Sequence, residues 1–208
     1  MEGTGINSMS DLDSKKYASY GGRFEMSIIR QMIRNSGGAG SVAEVLPPKL
    51  DCFDSVCRGD CDATWIFLAW EGIIARQRGI KLKTFPLSET SVSYGYSPVL
   101  MAHPDMLTGL KADTLRKVLA IAARGYKYAC TNPEDAANCL LQEAGHPTLN
   151  ELGINFLIES QQYLADGGYF LDGSGSWGLM DQGRWDQFLD WLCENSCLTS
   201  RDGSPIAR

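Results

Sequence analysis

Three short stretches combine glycines with aromatic or charged side chains: Ser19-Tyr20-Gly21-Gly22-Arg23-Phe24-Glu25, Asp60-Cys61-Asp62-Ala63-Thr64-Trp65 and Tyr94-Gly95-Tyr96-Ser97-Pro98. In the first, Gly21 and Gly22 let backbone N–H groups approach a ligand without side-chain obstruction. A helix beginning there adds partial positive charge, which suits a phosphate or carboxylate. Arg23 can add a bidentate contact, and Glu25 can accept from an amino group. An ordinary strand-to-helix turn with Arg23 in solvent accounts for the same residues. In the second stretch Trp65, or Trp70 beyond it, can stack on a flat ring, and core packing explains either tryptophan equally well. Glu71 opens a helix, where the dipole favours an acid with or without a ligand. Tyr94 and Tyr96 flank a glycine as an aromatic clamp or as a plain turn. The chemistry that these residues suit is the gripping of a small planar or anionic molecule.

Residues that would make or break bonds are harder to find. His103 and His146 each precede a proline, the extended geometry of a loop entry, and neither has a carboxylate or cysteine at useful spacing. Cys57–Cys61 and Cys193–Cys197 would supply four zinc thiolates only if the two segments met. As small apolar core residues, the seven cysteines need no such explanation. The run Gly173-Ser174-Gly175-Ser176-Trp177-Gly178 matches the dinucleotide fingerprint letter by letter. That fingerprint needs a preceding strand and a helix opening at its last glycine. Here a helix and a loop precede it, so it is no nucleotide site. No metal and no cofactor is expected from the residues themselves.

The elements that position the three stretches alternate. Lys16 to Ser19 reads as a strand ended by Tyr20-Gly21-Gly22. Phe24, Ile28, Ile29, Met32 and Ile33 form a helical stripe stopped by Gly37-Gly38. Val42 to Leu46 is a second strand, Lys49 to Arg58 a short helix, and Cys61 to Leu68 a buried strand. Trp70 to Arg78 is a helix and Lys81 to Phe85 alternates like a strand. This order predicts a parallel sheet covered by helices, with a ligand where strands give way to turns. Ser97 to Ala102 reads as a further apolar strand. From Pro104 the chain is nearly all helix: a stripe of Leu115, Val118, Leu119 and Ala122, a helix opened by Pro133, another over Leu149 to Leu164, and a last one carrying Trp185, Phe188, Leu189 and Leu192. Asp166 to Gly178 is a Gly/Ser-rich loop.

Bulk properties narrow the class. At 208 residues with 44% hydrophobic content, the chain can form one sizeable domain or two small lobes. A net charge of −6 and the lack of any Lys/Arg run argue against nucleic acid as a partner. No stretch approaches the roughly 20 apolar residues of a membrane span. Residues 1 to 10 have neither a basic nor an apolar signal region, and an odd cysteine count argues against a complete disulfide framework. A cytoplasmic location is expected on these grounds.

Taken in order, Lys16-Tyr17-Ala18-Ser19-Tyr20-Gly21-Gly22-Arg23-Phe24-Glu25, Asp62-Ala63-Thr64-Trp65 with Trp70-Glu71-Gly72, and Tyr94-Gly95-Tyr96-Ser97-Pro98-Val99-Leu100 resemble the thiamine pyrimidine synthase-like branch of the type 2 periplasmic binding protein superfamily. The resemblance runs from about Asp11 to Arg201. It implies an α/β fold of two lobes joined by a hinge with ligand held between them. It implies one parallel-sheet lobe over 16–96 and, over 97–201, a hinge strand with the C-terminal helices of the other lobe. Residues 1–15 and 202–208 are then irregular ends. The implied role is binding of a thiamine pyrimidine precursor through Tyr20, Gly21, Gly22, Arg23, Glu25, Trp65, Glu71, Tyr94 and Tyr96.

The alternative within that family is synthesis of hydroxymethylpyrimidine phosphate, in which pyridoxal phosphate and iron take part. Family members carry about a hundred further residues before the strand of Lys16, including the lysine and histidine of the synthases. This chain therefore reads as a fragment or a shortened form. Their cysteine-rich motif corresponds to Ser93 to Ser97, which holds no cysteine. The helices after Pro104 are expected to expose apolar stripes and to favour self-association.

Overall fold

The computed structural model describes residues 3–90, 92, 94–200 and 202–206. The chain divides into two compact units, Met1–Gly95 with Asp181–Arg208, and Tyr96–Met180. The last helix of the chain thus falls within the first unit.

Three parallel strands form the sheet of the first unit, β1 (Lys16–Ala18), β2 (Ala43–Val45) and β3 (Ala63–Thr64), in the order β2-β1-β3. Lys16 faces Ala43 on one side, and Tyr17 faces Ala63 on the other. Asp62 fastens the β3 edge, its carboxylate accepting from the Lys16 N–H at 2.8 Å. The helices are α1 (Glu25–Asn35), α2 (Cys52–Cys57) and α3 (Glu71–Gln77), with α7 (Gln182–Glu194) returning late in the chain.

Side-chain alternation along β1 puts the helices on opposite faces. Tyr17, only 1% exposed, joins a core with Ile28, Ile29, Met32 and Ile33 of α1. Its neighbour Ala18 points the other way, to Cys52 and Val56 of α2 and to Cys61. The stripe read from the sequence of α1 is the one that is buried. The helix stops at Gly37-Gly38 because Gly37 takes φ +90°, its N–H bonding Arg34 O while the Gly38 N–H bonds Ile33 O, both at 3.0 Å. A Cβ on Gly38 would stand 2.7 Å from Ile33 Cγ2, so this position has no room for a side chain. A 3-10 turn over Met9–Leu12 packs on α1, and Ile6, Met9 and Leu12 enter the core.

Three expected strands differ. Cys61 to Leu68 pairs only over Ala63–Thr64, after which the chain turns to bring Trp65 onto the core. Lys81 to Phe85 forms no strand; the segment pairs with neither edge of the sheet, and Phe85 packs on the core. Ser97 to Ala102 is likewise unpaired, and Leu100 and Met101 are exposed. An apolar run becomes a strand only where a partner offers its backbone groups.

The second unit consists of α4 (Gly109–Thr131), α5 (Pro133–Ala144) and α6 (Pro147–Asp166). α5 and α6 pack together with α4 against both, sealing Ala137, Phe156 and Leu157. Pro133 stands in the first turn of α5, as its fixed φ favours. The two His-Pro pairs prove to be helix entries: His103 Nδ1 accepts from the Asp105 N–H and His146 Nδ1 from the Thr148 N–H, each at 3.3 Å. The Gly/Ser-rich loop carries Trp177, which stacks on Tyr126 of α4 at 5.0 Å between centroids. Among the described residues no helix is long and apolar enough to cross a membrane.

Candidate functional site

The topology of the first unit selects one crevice. From the central strand β1 the chain returns through α1 to β2 on one edge, then crosses by α2 to β3 on the other. Helices on opposite faces diverge where the strand order reverses, and in open parallel sheets ligands bind there, beyond the carboxyl ends of the strands. In this unit the place lies between the turn after β1, residues 19–25, and the segment after β3, residues 65–71. The first is a stretch whose residue types suit a ligand, and the second holds the candidates Trp65, Trp70 and Glu71.

The turn after β1 is built around Glu25. Its carboxylate is 5% exposed and accepts from Tyr17 Oη at 3.0 Å, Ser19 Oγ at 3.2 Å, and the N–H groups of Tyr20 at 3.0 Å and Gly22 at 3.4 Å. The Gly21 N–H donates to Ser19 Oγ at 2.9 Å. A carboxylate in the first turn thus fastens the loop that precedes its own helix, a variant of the capping box. Three consecutive N–H groups that the sequence offers to a ligand are engaged internally, and so is the carboxylate. Gly21 takes φ +74°, which explains a glycine there, and a Cβ on it would sit 3.4 Å from Leu46 Cδ2. Gly21, Gly22 and Arg23 are exposed, and Arg23 Nη1 reaches Thr199 Oγ1 at 3.4 Å.

Tyr20 is 36% exposed beside them. Partial burial, the charge of Glu71, then Cys52 and Glu25 push its phenol above the ordinary tyrosine range, so it stays a protonated hydrogen-bond donor. Tyr17 is raised for the same leading reason, burial, followed by Glu25. On the other side of the crevice Glu71 is half-buried, and its Oε2 accepts from the Phe67 N–H at 2.9 Å.

The aromatic residues group together. Trp65 and Tyr94 meet at 5.9 Å between centroids, Tyr94 meets Phe24 at 6.1 Å, and Phe188 of α7 closes the cluster at 5.2 Å from Tyr94. Gly95 is buried beneath it, where a Cβ would stand 2.7 Å from Phe188 Cδ1. Tyr96, paired with Tyr94 in the sequence reading, opens the second unit, so the two phenols belong to different units. Ser93 lies outside the described residues.

Sequence reasoning missed two contributors. Phe188 joins the cluster from a helix 94 residues downstream of Tyr94, and no local signal points to it. The loop-fastening role of Glu25 was visible in principle, since an acid three residues after Gly22 has capping-box spacing.

All seven cysteines are free thiols, and burial raises those of Cys52 and Cys57. Among the described residues no three His, Cys, Asp or Glu side chains gather as a metal site. Neither crevice segment contains a lysine or a cysteine.

The first unit is a small parallel sheet flanked by helices. The chain belongs to the NMT1/THI5-like family, whose model matches residues 1–136. A formylaminopyrimidine-binding protein of Halalkalibacterium halodurans is 21% identical over 175 residues, which is 79% of this chain and 49% of that protein. The chain spans about half the length of this curated relative.

Proposed function

We propose that this chain binds a small pyrimidine precursor of thiamine in the crevice between the turn after β1 and the segment after β3. The observation that carries the reading is the position of Tyr20, Gly21 and Gly22. They are exposed at the carboxyl end of the central strand, at the point where the strand order reverses. Family membership and the pyrimidine ligand in the name of the bacterial relative support the choice of ligand class.

Tyr20, held protonated, donates to a ring nitrogen, and Glu71 accepts from the exocyclic amine. Gly21 and Gly22 let the ring approach the backbone, and Trp65 with Tyr94 supplies an apolar wall. Glu25 serves by holding the loop rather than by touching the ligand. Arg23 completes the set as a contact to a ring substituent.

The test is thermal shift and calorimetry on the 208-residue chain with hydroxymethylpyrimidine. Ligand that binds the folded state raises Tm with concentration. Tyr20→Ala and Glu71→Gln should each weaken binding by about tenfold, which corresponds to the loss of one good polar contact. A wild-type chain that shows no shift and no heat at millimolar pyrimidine would refute the reading.

A further inference from the structure

The turn after β1 looks at first like a cradle for an anion, since it is glycine-rich and leads into the N-terminus of an eleven-residue helix. Its hydrogen bonds say otherwise. The N–H groups of Tyr20 and Gly22 point inward to Glu25, and that of Gly21 points to Ser19 Oγ. The negative charge that the start of α1 favours is therefore already present, built into the chain as a buried carboxylate. A second carboxylate, Glu71, stands across the crevice and is itself held by the Phe67 N–H. The only basic side chain in either segment is Arg23, and its guanidinium is exposed and reaches toward Thr199.

We infer that this crevice selects an uncharged or protonated ring and rejects its phosphate ester. The inference rests on the pyrimidine reading above and adds the charge class of the ligand. A phosphate carries roughly −1.5 to −2 at neutral pH and needs free N–H donors or a cationic clamp. Here the loop donors are spent and two carboxylates repel it. A ring bearing amino groups meets the opposite situation, because the Glu71 carboxylate suits donors and the Tyr20 hydroxyl suits ring nitrogens. Selection against the ester is thus repulsive as well as a matter of missing contacts.

The experiment compares hydroxymethylpyrimidine, hydroxymethylpyrimidine phosphate and inorganic phosphate by calorimetry and thermal shift on the full chain. The unphosphorylated ring should bind at least about tenfold more tightly than its ester, and 10 mM-scale inorganic phosphate should neither stabilise the chain nor displace the ring. Glu25→Gln, which keeps the shape and removes the charge, should narrow the ratio; Glu71→Gln does the same where Glu25→Gln fails to fold. An ester that binds as tightly as the free ring, or inorganic phosphate that competes, overturns the inference while leaving pyrimidine binding intact. If no pyrimidine binds, the proposed function falls and the inference, which rests on it, falls as well.

Discussion

Helix α1 buries five apolar side chains among eleven residues, whereas α4, with 23 residues, buries only Ala112 and Ala129. Both show apolar residues at helical spacing in the sequence. In α1 that stripe lies on the sheet and on the Met9–Leu12 turn, so Ile28 and Ile33 are sealed from water. In α4 the two buried residues are alanines, while Leu110 at 86% and Ile121 at 65% are exposed. Periodicity therefore identifies a helix and its apolar residues, but the depth of burial is set by what the rest of the chain supplies. The first unit has a core that its own sheet completes. In the second, α4 adds only two buried alanines beside Ala137, Phe156 and Leu157 of α5 and α6, with larger α4 side chains left exposed.

The largest expected effect tests that contrast directly. Ile28→Ala removes three buried carbons and leaves a cavity under the sheet, so it should lower stability by about 2–5 kcal/mol. Ile121→Ala removes the same atoms from a largely exposed position and should change stability by no more than about 0.5 kcal/mol. Urea unfolding followed by tryptophan fluorescence measures both. Equal losses at the two positions would mean that α4 is covered as fully as α1, and the comparison would fail.

Glycines sharpen the same contrast at smaller magnitude. Gly95 is buried against Phe188, and an added Cβ would stand 2.7 Å from the ring, a distance that requires the cluster of Phe24, Tyr94 and Phe188 to shift. Gly95→Ala should cost about 1–3 kcal/mol as an overpacked site. If the aromatic wall contributes to the crevice, pyrimidine binding should weaken in parallel with the stability loss. A Gly95→Ala chain as stable as wild type would show that Phe188 yields easily and that the cluster is loosely held.

How much of this was legible beforehand follows from locality. β1, the buried stripe of α1 and its stop at Gly37-Gly38 were readable because each depends on residues within a few positions of one another. The same holds for Pro133 opening α5. Lys81 to Phe85 and Ser97 to Ala102 were misread as strands because alternation and apolarity do not reveal whether a neighbouring edge exists. In the candidate site, Tyr20, Gly21, Gly22 and Glu71 could be read as candidates because glycines, an aromatic and an acid stand where strands give way to helices in the sequence pattern. The internal use of Glu25 was obscured because a carboxylate beside two glycines suits a ligand as well as the loop's own N–H groups. The meeting of Tyr94 with Phe188 depends on α7 folding back to the first unit, which no window of sequence contains.

The smallest predicted effect has the opposite sign and completes the comparison. Gly125 lies inside α4, has no left-handed φ, and an added Cβ would meet nothing within 4 Å. Alanine there removes backbone freedom from the unfolded chain and adds a better helix former, so Gly125→Ala should stabilise the second unit by about 0.5–1 kcal/mol. The same substitution thus destabilises at Gly95 and stabilises at Gly125, because one position faces a packed ring and the other faces open space. Hydrogen exchange of the α4 amides provides the readout, since the gain belongs to that helix and not to the sheet. Faster exchange in α4 after Gly125→Ala would mean that this face has a close neighbour, and the second unit would then be as tightly covered as the first.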